Sequence, residues 1–183
     1  MNVYEKCPVM ENDFFLLRQT SIKDVADLLT VYSDEAALPL FNSDNCTDNF
    51  HYTTIERMKQ AIEFWNDEYK RKYYVRWSVI DKRTCSAIGT IELFNRKADD
   101  YFNNCGLLRL DLRSDYEKEE IINNILGIII PEAKEMFDCD FIATKAIPEA
   151  KERIKALISY GFRLSSEKII GHKGEKFGDY WTL

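Results

Sequence analysis

The alternation of apolar and polar positions is clearest over residues 106–162, where it predicts strand, helix, strand, helix in turn. Leu107-Leu108-Arg109-Leu110-Asp111-Leu112 reads as a strand. A long helix follows from near Ser114, with Ile121, Ile122, Ile125, Leu126, Ile129 and Ile130 returning at three- and four-residue intervals and Met136 and Phe137 closing it. Asp138-Cys139-Asp140 leads, with no glycine stop, into a second strand over 140–147, whose aromatic and β-branched start suits a buried position. Pro148 stands where another helix begins, a place that tolerates a missing N–H. Ile154, Leu157 and Ile158 give that helix an apolar face, and Gly161 ends it. Two strands joined through a helix form a right-handed crossover, which sets the helix N-terminus beside the carboxyl end of the first strand, the edge where open α/β sheets take their ligands.

Ahead of this stretch, residues 14–17 form a short apolar strand. Ser21, followed three residues later by Asp24, is a capping box for a helix over 22–33 with Val25, Leu28, Leu29 and Tyr32 as its stripe. Residues 34–52, rich in Asn, Asp, Ser and Thr, read as an irregular connection able to lie over a pocket. A helix over 54–70 carries Ile55, Met58, Ile62, Trp65 and Tyr69 on one side. A hairpin follows, 73–80 with 86–94, in which Gly89 marks a bulge or a close approach to the backbone. After the polar turn 95–104 and the central stretch, 164–171 and 176–183 read as a closing antiparallel hairpin with Trp181 as a core anchor. The order of elements predicts one mixed α/β sheet with helices on both faces.

Composition narrows the class. A chain of 183 residues without a compositional break or linker predicts a single domain over 1–183. Met1 to Met10 carry no cleavable signal pattern, and no apolar run is long enough to span a bilayer, which predicts a cytoplasmic protein with no membrane partner. Cys7, Cys46, Cys85, Cys105 and Cys139 are odd in number and lack C-x-x-C spacing, so neither a disulfide framework nor a zinc site is expected. Isolated His51 and His172 add no metal ligand set. A formal charge of −6 with no basic stripe argues against nucleic acid as a partner.

Three short motifs, in order, carry a family resemblance: Phe15-Leu16-Leu17-Arg18 with Asp24; Trp77-Ser78-Val79-Ile80 with Ile88-Gly89-Thr90-Ile91; and Pro148-Glu149 followed by Tyr160-Gly161-Phe162-Arg163. Over nearly its whole length the chain resembles the GNAT superfamily of N-acetyltransferases, in the branch similar to ribosomal-protein-alanine and spermidine acetyltransferases. The resemblance implies a mostly antiparallel sheet splayed between its fourth and fifth strands, with acetyl-CoA as co-substrate in the wedge and an amine acceptor arriving from the opposite side. It also implies that the pyrophosphate rests on backbone N–H groups at the start of the helix after the fourth strand, where unpaired donors and the helix dipole favour an anion.

On that resemblance, the main chain of Leu110 and Leu112 would pair with the pantetheine arm, and Arg113, Ser114 and Lys118 would lie at the phosphates. Glu92, on the third strand of the resemblance, and Asp111, at the end of the fourth, are candidate bases, and Tyr160 a candidate acid. The bland alternatives make Glu92 a solvated strand face, Asp111 a turn or cap residue, and Tyr160 a core aromatic. Tyr69, Tyr73, Tyr74 and Trp77 line an acceptor cleft or fill the core. The chain departs from the family's glycine-rich phosphate loop, because no glycine lies between Leu107 and Leu126 and the loop reads Arg113-Ser114-Asp115-Tyr116-Glu117-Lys118-Glu119-Glu120. Ser114 and Glu117 themselves form a capping-box pattern that would satisfy the helix's own donors. Ala150, Arg153 and Leu157 stand where the family branch has Asn, Ser and a general-acid Tyr. Two functions follow: direct transfer of an acetyl group to a protein N-terminus or small amine, or a non-catalytic relative whose cleft binds a ligand or protein.

Overall fold

The computed structural model describes residues 3–183. Among them, eight strands form one sheet: β1 (Met10–Glu11), β2 (Phe15–Gln19), β3 (Val75–Asp81), β4 (Ser86–Arg96), β5 (Cys105–Leu112), β6 (Phe141–Lys145), β7 (Arg163–Leu164) and β10 (Tyr180–Thr182). Their spatial order is β1-β2-β3-β4-β5-β6-β10-β7, and every neighbouring pair is antiparallel except β5 with β6. Helices α1 (Val25–Tyr32) and α2 (Ile55–Lys70) pack on one face, while α3 (Glu119–Phe137) and α4 (Lys151–Tyr160) belong to the other. The predicted mixed, mostly antiparallel sheet with helices on both faces is the one observed. β8 (Ile169–Ile170) and β9 (Lys176–Phe177) form a separate small ladder.

Strand periodicity divides the core. Val75, Trp77, Val79, Ile91, Leu93, Leu108, Leu110 and Leu112 are buried together with Ile122, Ile125 and Ile129 of α3. The alternate positions Arg76, Ser78, Thr90, Glu92 and Asp111 are also buried. They lie beneath an aromatic layer of Tyr32, Phe50, Tyr52 and Trp65. Gly89 has a specific reason to be glycine: a Cβ there would stand 2.1 Å from the Asp111 carbonyl oxygen. The register of β3 and β4 shifts beside it, between Val79 and Ile80, so both sequence readings of Gly89 hold.

The capping box predicted at Ser21 and Asp24 is present, on a 3-10 turn (Ile22–Asp24) that runs directly into α1. Lys23 N–H donates to Ser21 Oγ at 3.3 Å, and Ser21 N–H donates to Asp24 Oδ2 at 3.0 Å. Asp24 is buried and also accepts from Arg18 and Ser78. Burial works to raise the Asp24 carboxyl, but the Arg18, Ser21 and Ser78 donors outweigh it and hold the pKa below its ordinary value. A carboxyl depressed on folding contributes stability in full above its unfolded pKa of about 3.9, and loses it as pH falls through the lower folded value. We expect the melting temperature of the wild type to fall more steeply than that of Asp24→Asn below about pH 4. Parallel melting curves from about pH 5 to 2 would show that Asp24 contributes no such term.

Four expectations are corrected. The helix after β5 does not begin near Ser114: residues Ser114–Tyr116 make one 3-10 turn, Glu117 leaves helical geometry at φ −76°, ψ 72°, and α3 starts at Glu119. The Ser114–Glu117 capping box is absent because each member is engaged elsewhere, as described below. Ile158 is 57% exposed, and the buried side of α4 is made by Arg153, Ala156 and Leu157. The C-terminal hairpin is split, since β10 pairs with β6 and β7 while β8 pairs with β9. Trp181 is nonetheless buried and donates its indole N–H to Ala146 O at 3.2 Å.

Candidate functional site

The parallel pairing of β5 and β6 couples Cys105 with Phe141 and ends at Leu108 with Thr144. β6 ends at Lys145 while β5 runs on to Leu112, so from Arg109 onward the ladder between the two strands is open. Arg113 N–H donates to Ile88 O on the β4 side. By the alternation of an extended strand, Leu112 and Leu110 therefore turn their main-chain groups the other way, toward the opening.

Most donors of the loop that follows β5 are engaged. Ser114 N–H donates to Asp34 Oδ2 at 2.8 Å, and Glu119 N–H, the first of α3, donates to Glu152 Oε2 at 3.3 Å. Tyr116, Glu117 and Lys118 N–H groups go to Arg113, Ser114 and Tyr116 carbonyls. Glu117 takes a bidentate pair from Arg153, Nε at 2.6 Å and Nη2 at 2.8 Å, and Arg153 Nη1 donates to Leu40 O at 3.0 Å. Both partners of that pair are buried, at 3% and 8% side-chain exposure. Arg153 thus joins the loop leaving β5 to the helix following β6, the two banks of the opening. Arg113 is paired with Asp115 at 2.6 Å and lies over the Tyr116 ring. Lys118 lines a shallow acidic cleft with Glu119, Glu120 and Glu152.

On the α1/α2 face, two rows of polar residues cross three strands in register: Arg76 opposite Glu92 opposite Arg109, and Ser78 opposite Thr90 opposite Asp111. Arg76 pairs with Glu92, and Arg109 Nη1 donates to Glu92 Oε1 at 2.9 Å. Arg76 Nη1 also donates to the Tyr32 hydroxyl at 2.9 Å, which donates onward to Asp111 Oδ2 at 2.9 Å. The Arg76 guanidinium lies 4.1 Å from the centre of the Trp65 ring. Its Nε, like that of Arg109, is buried without a hydrogen-bond partner among the described residues. The environments of the two carboxyls diverge. Burial raises the Asp111 pKa above the usual carboxylate range, with Arg76 and Tyr32 opposing it only in part. Burial pushes Glu92 the same way, but Arg76 and Arg109 outweigh it and hold its pKa below the ordinary value.

Beside this network lies a cleft of about 520 Å³, with Glu68, Tyr74, Glu92, Phe94, Arg109 and Tyr180 among its walls. The connection over 34–52 forms part of it. Lys145 Nζ donates to both Asp44 carboxylate oxygens at 2.7 Å, Tyr180 Oη donates to Asp44 Oδ2 at 3.0 Å, and Arg109 Nη2 donates to Asp44 O at 3.1 Å.

Of the candidate proton-transfer residues, Glu92 and Asp111 come together around Arg76, and neither matches its bland alternative. Glu92 is 2% exposed rather than solvated, and Asp111 sits within β5 rather than in a turn. Tyr160 packs beside Phe162 on the α3/α4 side, seven residues along α4 from Arg153, and is not brought to the pair. Tyr74 lines the cleft, Trp77 is core, and Tyr73 lies at the cleft's edge, 62% exposed. Sequence reasoning missed Arg76, Tyr32, Asp34 and the ion pair made by Arg153. The Arg76–Glu92–Arg109 row had a signal, because aligning the hairpin and the next strand sets opposite charges side by side at buried positions. Asp34 had none, since its partner lies 80 residues away.

No family model matches the chain, and no curated protein matches its sequence. Solved structures do match its shape. An acetyltransferase of the GNAT family from Bacillus anthracis has a TM-score of 0.68 at 12% identity, covering 96% of this chain and 98% of that one. A ribosomal-protein-S5-alanine acetyltransferase from Vibrio fischeri has a TM-score of 0.65 at 17% identity, covering 96% and 94%. A ribosomal L7/L12 alpha-N-protein acetyltransferase, solved with coenzyme A, has a TM-score of 0.70 at 12% identity, covering 96% and 97%. Likeness of shape over essentially the whole chain, with the sheet parted after its fourth long strand, makes the assignment where sequence comparison does not: this chain has the GNAT acetyltransferase fold.

Proposed function

We propose that the chain transfers an acetyl group from acetyl-CoA directly to a primary amine, on a protein N-terminus or a small molecule. The observation that carries this reading is the end of the β5–β6 pairing at Leu108, which leaves the main-chain edge of β5 at Leu110 and Leu112 without a strand partner. An extended, amide-bearing arm pairs with such an edge as an added strand does. The relative solved with coenzyme A supports a donor of this kind on this fold. The phosphates fit less well. Ser114 and Glu119 already give their N–H groups to Asp34 and Glu152, so two donors of the phosphate seat are taken by carboxylates.

Direct attack requires an amine that has lost its proton, and a carboxyl with a raised pKa is suited to receive it. We assign that role to Asp111, which lies behind the cleft wall and accepts from the Tyr32 hydroxyl, and give Glu92 the task of holding Arg76 and Arg109 beside it. The cleft of about 520 Å³ is the place for the acceptor. No described helix is long and apolar enough to cross a membrane, and the five cysteines carry free thiols, which supports action in a reducing compartment such as the cytoplasm.

The carboxylates at the phosphate seat favour a second reading, a non-catalytic protein that uses the same cleft to hold another ligand. Thermal unfolding with acetyl-CoA separates the two. At a hundredfold excess over its dissociation constant the donor stabilises the fold by about 2.7 kcal/mol. Absence of any shift at millimolar acetyl-CoA, in the wild type and in a variant with the seat cleared of Asp34 and Glu152 alike, would overturn the transferase reading.

A further inference from the structure

Segment 34–44 touches both halves of the site. At its start, Asp34 Oδ2 takes the Ser114 N–H at 2.8 Å, at the position where the fold would seat a phosphate. In its middle, the Leu40 carbonyl accepts from Arg153, which is itself locked to Glu117 across the opening. At its end, Asn42 and Asp44 meet the Tyr180 hydroxyl, and Asp44 is held by Lys145 and Arg109 in the wall of the acceptor-side cleft. Glu152 of α4 takes a second donor at the seat, the Glu119 N–H, at 3.3 Å. Arg153 and Lys145 each bind this segment through a buried or largely buried contact, at 3% and 18% side-chain exposure, so it is anchored along its length rather than laid loosely over the surface.

We propose that residues 34–44 form an autoinhibitory strap: with Glu152, its Asp34 carboxylate stands in for the donor's phosphate, and the donor enters only as the strap lifts. The inference rests on the acetyl-transfer reading. It adds that filling the donor seat loosens a wall of the acceptor cleft, because one segment serves both. An incoming phosphate must displace the two carboxylates from their amides and overcome their charge, so the strap acts as a competitor tethered beside the seat.

The test is calorimetric titration with coenzyme A of the wild type, of Asp34→Ala/Glu152→Ala, and of Asp34→Asn/Glu152→Gln. The second pair retains acceptor oxygens while losing the charge, and it carries the test if the alanine pair does not fold. A Glu63→Gln/Glu167→Gln variant, at exposed positions elsewhere, matches the change in net charge. Both seat variants are expected to bind coenzyme A about tenfold or more tightly than the wild type, with the charge control unchanged, since contact-range repulsion is removed only at the seat. Hydrogen exchange of the 34–44 amides in the wild type should quicken when coenzyme A is added. Equal affinity in the wild type and both seat variants would overturn the strap and leave the transferase reading intact. Binding by none of them would overturn both. Tighter binding in the charge control as well would reduce the effect to overall charge, and unchanged exchange over 34–44 on binding would show that the strap does not lift.

Discussion

Glu92→Ala lowers the unfolding free energy by about 3 to 5 kcal/mol, the range for breaking a buried ion pair by removing one partner. The size follows from what remains. Arg76 and Glu92 are each 2% exposed and Arg109 is 11% exposed, so the substitution leaves Arg76 with Asp111 as its one carboxylate and Arg109 with the Asp44 carbonyl to accept from it. Asp111 is a weak answer: its contact to Arg76 is 3.4 Å, and burial already favours its neutral form. Replacing Arg76, Glu92 and Arg109 together with apolar residues of similar volume should recover most of the loss, because a buried charge cluster is expensive to desolvate. Urea denaturation of both variants checks the pair of outcomes. A loss under about 1 kcal/mol for Glu92→Ala would mean that water reaches the guanidinium groups and that the network is not sealed.

Gly89→Ala is the second large effect, at about 3 kcal/mol or somewhat more, the upper end for overpacking. The added carbon would meet the Asp111 carbonyl at 2.1 Å and Leu112 Cδ2 at 2.8 Å, and the first of these is backbone that cannot rotate away. Strands β4 and β5 must then separate where they bring Thr90 to Asp111 and where Arg113 N–H reaches Ile88 O. Loss of hydrogen-exchange protection at Arg113 accompanies the destabilisation. The same substitution at Gly127 should change stability the opposite way. Nothing lies within 4 Å of a Cβ there, and glycine inside a helix costs roughly 0.5 to 1 kcal/mol relative to alanine. Equal effects at the two positions would remove the steric argument.

These two residues also mark the boundary of what the sequence made legible. Elements with a strong local period were readable: the Ile122, Ile125 and Ile129 stripe of α3 and the capping box that opens α1 depend only on neighbours within a few positions. Gly89 stood out because a glycine inside a strand needs a reason. The start of α3 was misplaced because Ser114 and Glu117, which suit a cap, are claimed by Asp34 and Arg153 from distant parts of the chain. Glu92 was given a solvated alternative for a related reason: its burial depends on α1 and α2 supplying an aromatic cover, and a single strand carries no record of what lies above it. The general position of the opening followed from the resemblance, while its closure by carboxylates depends on contacts that no spacing encodes.

The row of alternating charge across β3, β4 and β5 has one more consequence. Strand edges are periodic, and apolar side chains of similar size tolerate a slide by two residues far better than matched ions do. A slide of that kind between β3 and β4 would carry Glu92 past Arg76, leaving Arg76 opposite a neutral neighbour in a buried layer and Glu92 with Arg109 alone. The misaligned sheet would bear the cost of dehydrating Arg76 without its carboxylate partner, so the three ions act as a key that admits one alignment of the central strands.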